Sequence, residues 1–168
     1  MLDWSKLQGG QALPANASKA QLLWASSGGF IAIAVLAYLA ESLHMPLILG
    51  SFGASCVLLF GFPDSPFSQP RNVVGGHFLA SLVGLIALSL FGVHWWSMAL
   101  ALSAAIGLML ITRTVHPPAG SNPLIIMLTV PHWNFLFVPT LLGAMLLVLI
   151  ALVFNNLGKA RRYPKYWF

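Results

Sequence analysis

Two short apolar stretches broken by proline and glycine constrain this chain more than any other feature in it. Pro46 to Phe62 contains Gly50 and Gly53, and Ala119 to Val130 follows Pro117-Pro118 and contains Gly120 and Pro123. They lie among four longer apolar runs: Leu22 to Leu43, Val73 to Val93, Trp96 to Ile111 and Phe135 to Phe154. A helix needs roughly 20 apolar residues to cross a hydrocarbon core, so the four longer runs read as membrane spans. The other two are too short to cross as helix alone and too rich in helix breakers to be continuous. Non-helical backbone at membrane depth must be buried in protein or line a polar cavity, because lipid offers its N–H and C=O groups no partner.

Of the 168 residues, 58% are hydrophobic and only 7% charged, which excludes a water-soluble fold. The net charge of +5 gives no nucleic-acid patch, since the cations flank the apolar runs. Lys6 and Lys19 precede the first run, and Lys159, Arg161, Arg162 and Lys165 follow the last. By the positive-inside rule both termini are then cytoplasmic, in an inner or plasma membrane. This predicts an N-terminal cytoplasmic segment (1–20), one transmembrane domain (21–157) and a basic cytoplasmic tail (158–168). The Trp residues at 24, 95, 96, 133 and 167 sit near run ends, where interfacial belts place them.

The chain also repeats itself. Trp24 recurs as Trp96, and Glu41-x-x-His44-x-Pro46 recurs as Arg113-x-x-His116-x-Pro118, at an offset of 72. Gly50-Ser51 returns as Gly120-Ser121 at 70, and Pro63-x-x-x-Phe67 as Pro131-x-x-x-Phe135 at 68. The copies, about 22–93 and 96–156, each run helix, broken segment, helix. Five extended residues at ~3.3 Å and eleven or twelve helical residues at ~1.5 Å cover roughly 30 Å, so a broken segment can just cross. Three crossings per copy is an odd number and turns the second copy upside down. The expected fold is therefore an all-α polytopic membrane protein of six segments, an inverted 3+3 repeat of the kind found in transporters. This topology puts every Lys and Arg on one side. Re-entrant broken segments would move Arg71 and Arg113 to the other.

In each broken segment an extended part leads into a half-helix, starting near Ser51 to Gly53 and at Ser121 or Asn122. Asn122 suits an N-cap, with Pro123 in the first turn. The two half-helix N-termini then meet near the midplane, where unpaired N–H groups and about half a positive charge at each favour an anion. The expected lining is Gly50, Ser51, Phe52, Gly53, Ala119, Gly120, Ser121 and Asn122, whose small residues let a ligand approach the main chain. Arg71 and Arg113 would concentrate anions at the mouth, and His77 and His116 would donate hydrogen bonds or carry a proton. Against this stand ordinary structural roles: Gly and Pro as kinks, Arg as an interfacial anchor, His bonded to a carbonyl. His44, His94 and His132 fall in outer turns with no metal-ligand spacing, and Cys56 stands alone, so no metal or cofactor is expected.

The stretches Gly50-Ser-Phe-Gly-Ala-Ser55, Gln69-Pro-Arg-Asn-Val-Val-Gly-Gly-His77 and Thr112-Arg-Thr-Val-His-Pro-Pro-Ala-Gly-Ser-Asn-Pro123 together resemble the HPP family of membrane proteins, over roughly residues 20 to 157. Members from chloroplasts and cyanobacteria are associated with nitrite transport, so the resemblance implies a nitrite-like anion as candidate substrate. The family is commonly described with four membrane helices, to which the present reading adds the two broken segments.

Transport by a passive channel-like or uniport mechanism is the expected function. No Gly-x-x-x-x-Gly-Lys-Ser/Thr occurs to bind ATP, and the interior has almost no carboxylates to carry a proton or sodium. The alternatives are another small anion (nitrate, formate or chloride) or a non-transporting partner or sensor subunit. An enzyme is disfavoured, because Asp3, Glu41 and Asp64 are too scattered for an acid/base pair. The small residues Gly75, Gly76, Ala80 and Gly84 predict close helix contacts in a homo-oligomer, with a homodimer favoured.

Overall fold

In the computed structural model, residues 3–7, 9–158 and 161–167 are described; Lys159, one of the expected tail cations, lies outside them. Helix α1 (Lys19–Leu43) opens on a capping box: the Ser18 hydroxyl accepts from the Gln21 N–H at 3.2 Å, and Gln21 Oε1 accepts from the Ser18 N–H at 2.9 Å. It stops at His44, which turns left-handed (φ 53). Only Gly28, Ala32 and Leu36 of α1 are buried, a stripe at helical spacing, and the remaining apolar surface faces outward as a lipid-solvated helix requires.

Residues 45–49 are outside any helix, Leu49 is extended (φ −114, ψ 144), and they lead into α2 (Gly50–Gly61), whose last turn widens from Val57 onward. A short turn at Pro66–Ser68 precedes α3 (Pro70–Phe91), which starts on a proline whose missing N–H costs nothing there. The second half repeats this order. Helix α4 (Trp95–Ile111) ends before a left-handed Arg113 (φ 57), and residues 114–116 leave the helix. A tight turn at Pro117–Ser121 then enters α5 (Asn122–Thr129), and the chain returns as α6 (Trp133–Asn156), which kinks at Val138 (φ −133, ψ 119) and is regular α-helix from Leu142 on. Among the described residues there is no strand. The helices α1, α3 and α6 are long and apolar enough to cross a membrane, with mean hydropathies of 1.9, 2.0 and 2.7. The 17 residues of α4 rise only about 26 Å.

Helix α3 is the hub, packed against α4, α5, α6 and the 117–121 turn. Its small residues make that closeness possible. A Cβ on Gly76 would lie 2.8 Å from His116 Cβ and 2.9 Å from the Thr114 carbonyl oxygen, and one on Gly84 would lie 2.9 Å from Pro123 Cα. The stripe of Gly75, Gly76, Ala80 and Gly84 expected at a subunit contact is therefore filled by this chain's own residues 114–126. Small spacing announces a close neighbour without saying which one. On the other side of the bundle α1, α2 and α6 share a core that includes Ala32, Leu36, Phe52, Leu59, Ala144 and Leu147.

The C-terminal residues fold back across the turn between α2 and α3. Tyr163 donates to the Ser68 carbonyl at 2.8 Å, the Lys165 N–H donates to Gln69 Oε1 at 2.8 Å, and Lys165 Nζ pairs with Asp64 at 2.9 Å. Burial pushes the Tyr163 phenol above its usual range, so it remains a donor. Arg161 lies 4.9 Å over the ring of Trp24, a residue expected to be a simple interfacial anchor.

Two substitutions test the hub. Gly84→Ala should cost on the order of 1–3 kcal/mol, seen as a lower unfolding midpoint in detergent. Gly107→Ala, with nothing within 4 Å of the added carbon, should leave the midpoint unchanged or slightly raised. Tyr163→Phe should lose about 1 kcal/mol of tail anchoring and speed tryptic cleavage after Arg161 and Arg162.

Candidate functional site

Polar residues at helical spacing in apolar helices converge at the centre of the bundle. On α2, Ser51 and Ser55 share a face, and on α3, Asn72, His77 and Ser81 lie on the buried face together with Gly76 and Gly84. His116 enters from the end of the 114–116 stretch, Asn122 from the first turn of α5, and Thr140 from α6. All eight are buried.

Ser55 Oγ lies 2.8 Å from His116 Nε2 and 2.9 Å from His77 Nε2. His116 Nδ1 lies 2.7 Å from the Phe67 carbonyl oxygen. Asn122 Nδ2 lies 3.0 Å from His77 Nδ1 and 2.9 Å from Ser81 Oγ, which is 3.1 Å from Thr140 Oγ1. Donor and acceptor capacity settles where the hydrogens sit when both rings are neutral. The Phe67 carbonyl only accepts, so His116 carries its hydrogen on Nδ1 and presents a bare Nε2. Ser55 gives its one hydrogen to that nitrogen. His77 must then donate from Nε2 to Ser55 Oγ, which leaves its Nδ1 bare for the Asn122 amide. The second amide hydrogen goes to Ser81, whose hydroxyl shares a hydrogen bond with Thr140. Each member donates in the same direction, from Asn122 through His77 and Ser55 to His116.

Two polar atoms stand outside this chain: Ser51 Oγ and Asn122 Oδ1 are buried without a hydrogen-bond partner. Such atoms are uncommon, each costing about 1–3 kcal/mol, and they are grounds for looking at the site functionally.

The expected lining residues divide. Phe52 and Asn122 contact His77, the Phe52 ring edge-on to it at 5.1 Å, and Ser51 joins the cluster through its carbonyl beside Ser55. Gly50 and Gly53 face outward, with nothing within 4 Å of an added Cβ. Ala119 packs with Ala80, Ala105 and Met109, while Gly120 and Ser121 are half-buried and Ser121 Oγ donates to the Pro118 carbonyl at 2.8 Å. Asn122 is not an N-cap: the 117–121 turn runs straight into α5, so Asn122 has helical angles (φ −60, ψ −42) and its amide points sideways to α3. Ser51 likewise lies inside α2, and Leu49 holds the cap position without a side-chain bond. Arg71 reaches the Thr112 carbonyl at 3.1 Å and Arg113 is exposed, both at the edge of the site. Ser55, Ser81 and Thr140 were not anticipated. The i, i+4 pairs Ser51/Ser55 and His77/Ser81 carried a readable signal; Thr140 had none.

Apolar helices around a buried, uncharged polar chain define a helical membrane protein with an internal polar site. The chain matches the family described as HPP, transmembrane region, over residues 14–164, and it belongs to that family. It is 41% identical over 155 residues to a transmembrane protein of Dictyostelium discoideum, covering 86% of this chain and 54% of that one. A second transmembrane protein of the same organism is 37% identical over 177 residues, covering 98% and 57%. The chain thus spans about half the length of the curated relatives it matches. No solved structure matches it.

Ser55→Ala would leave the His77 Nε2–H and the His116 Nε2 lone pair unpartnered. It should destabilise the protein by on the order of 2 kcal/mol in thermal unfolding, although it removes a single oxygen.

Proposed function

We propose that this chain carries a small inorganic anion, nitrite-like, across the membrane without ATP, along a path between α2 and α5. The observation that carries this reading is the position of His77. Its ring lies between the first turn of α2, through Phe52, and the first turn of α5, through Asn122. Two short helices start near this buried polar group, one at Gly50 and one through the 117–121 turn that runs into α5, and the partial positive charge of their N-terminal ends supports an anion there. No carboxylate among the described residues opposes that charge in the interior: Asp3 precedes α1, Glu41 is at its end, and Asp64 pairs with Lys165. Such surroundings stabilise an anion and disfavour a cation.

The same reading takes the six segments as an inverted 3+3 repeat in an inner or plasma membrane, with both termini cytoplasmic. Its support is the matching order of the two halves, each running apolar helix, left-handed residue, irregular stretch, short helix, apolar helix, although α4 is shorter than α1 and α6 is kinked at Val138. A homodimer is proposed on the exposed faces of α2 and α4, where Gly50, Gly53 and Gly107 have open space outside them.

Purified protein in liposomes should pass nitrite down an imposed gradient faster than protein-free vesicles. Absence of flux for nitrite, nitrate, formate and chloride alike would overturn the reading. Ser51→Ala should weaken anion affinity roughly tenfold, the worth of one donor hydrogen bond.

A further inference from the structure

One contact in the polar chain goes unused while both imidazoles are neutral: the Ser51 carbonyl oxygen lies 3.2 Å from Ser55 Oγ, but the hydroxyl gives its hydrogen to His116. We infer that His116 is a proton-binding site that loads together with the anion, so that an anion and a proton cross as a pair carrying no net charge. This rests on the anion-transport reading above. It replaces the uniport expected from the scarcity of carboxylates, because an imidazole can do the work that a carboxylate was thought to be missing for.

The proton adds to His116 Nε2, where an N–H bond forms. The new N–H donates to Ser55 Oγ, and the Ser55 hydrogen, its O–H bond intact, swings to the Ser51 carbonyl. His77 continues to donate to Ser55 Oγ from the other side. Every donor still has an acceptor, so an extra proton is accommodated by one hydroxyl rotation. Release reverses the rotation and restores the neutral chain. His77 has no such provision. Its Nε2 is already protonated and its Nδ1 faces an amide N–H, so a second proton there would require the whole Asn122 amide to turn over and the Ser81 hydroxyl to reorient with it.

Charge ties this proton to the cargo. An imidazolium in the interior costs several kcal/mol unless an opposite charge lies beside it. The titratable and charged groups on the elements around His116 supply none. Helix α3 offers His77 and Arg71, the 112–116 stretch offers Arg113, and α2 offers Cys56, which packs toward α1. The turn before α3 has Asp64, held by Lys165, and the tail reaches that turn with Tyr163 and Tyr166. Helices α4, α5 and α6 carry no titratable or charged side chain. The missing negative charge arrives with the anion, and the anion in turn gains a cation. By linkage each strengthens the other's binding by the same factor.

The test uses vesicles containing the whole chain, a lumenal pH dye and external nitrite, with protein-free vesicles as background for leakage of the undissociated acid. Nitrite entry above background should acidify the lumen by about one proton per anion and be unchanged when valinomycin and potassium clamp the membrane potential. His116→Gln should reduce protein-dependent proton entry at least tenfold. Nitrite flux that speeds up under the clamp and leaves lumenal pH unchanged overturns the proton site while leaving anion transport standing. No flux above background overturns both. A measurement on the unaltered protein guards against a misfolded variant: 15N spectra of histidine-labelled protein in bilayers should show one ring become doubly protonated on adding nitrite. All rings remaining neutral at saturating nitrite, at a pH where flux occurs, would also overturn the proposal.

Discussion

Backbone that leaves the helix inside an apolar bundle must find its partners within the chain, and the rest of this structure follows from that demand. Amide side chains meet much of it. Asn72 donates to the Val115 carbonyl at 2.9 Å along the break before α5. Asn155 donates to the Leu59 carbonyl at 2.9 Å, where the last turn of α2 widens, and Gln69 bonds the Pro63 and Ser65 carbonyls in the turn that follows. These amides do what water does in a soluble loop. Asn72 can reach Val115 because Gly76 and Gly84 allow the 114–123 segment to lie directly against α3, so packing and polar satisfaction are one requirement there.

The two halves share a shape and differ in chemistry. His44 and His116 occupy matching places at an offset of 72, yet His44 is an exposed left-handed stop at the end of α1 while His116 is buried and bonded at both ring nitrogens. Helix α2 begins directly from extended chain, whereas α5 is reached through the 117–121 turn dictated by Pro117-Pro118. One polar centre, assembled from unlike residues of both halves, thus lies beside the central helix.

Much of this was legible in the residues. Apolar run lengths located the helices, Pro and Gly located both breaks, and the resemblance carried by Gly50-Ser51, His77 and the His116-Pro117-Pro118 stretch agreed with the family match. The misses share one cause. Periodicity tells which face a residue occupies but not what lies opposite. Asn122 therefore looked like a helix cap when its amide serves His77, and Gly84 looked like a subunit contact when Pro123 fills it. Ser55 was hidden because its importance comes from two histidines 22 and 61 residues away. Thr140 belongs to the same class, reached only through Ser81 across 59 residues.

The scarcity of carboxylates and the paired imidazoles are two sides of one physical choice. A carboxylate at the centre would bind a proton readily, but whenever it was empty its negative charge would repel an anion and demand a buried cation. A neutral imidazole bonded through a serine leaves the empty site uncharged and rich in donors, and it becomes positive only when the proton is aboard. In the proposed mechanism the switch between these states is the rotation of the Ser55 hydroxyl between His116 and the Ser51 carbonyl, contacts of 2.8 and 3.2 Å. No helix has to move for the proton to bind. Ser51 lies at the start of α2, so in the proposed mechanism the residue that takes up the Ser55 hydrogen also stands at the helix end offered to the anion.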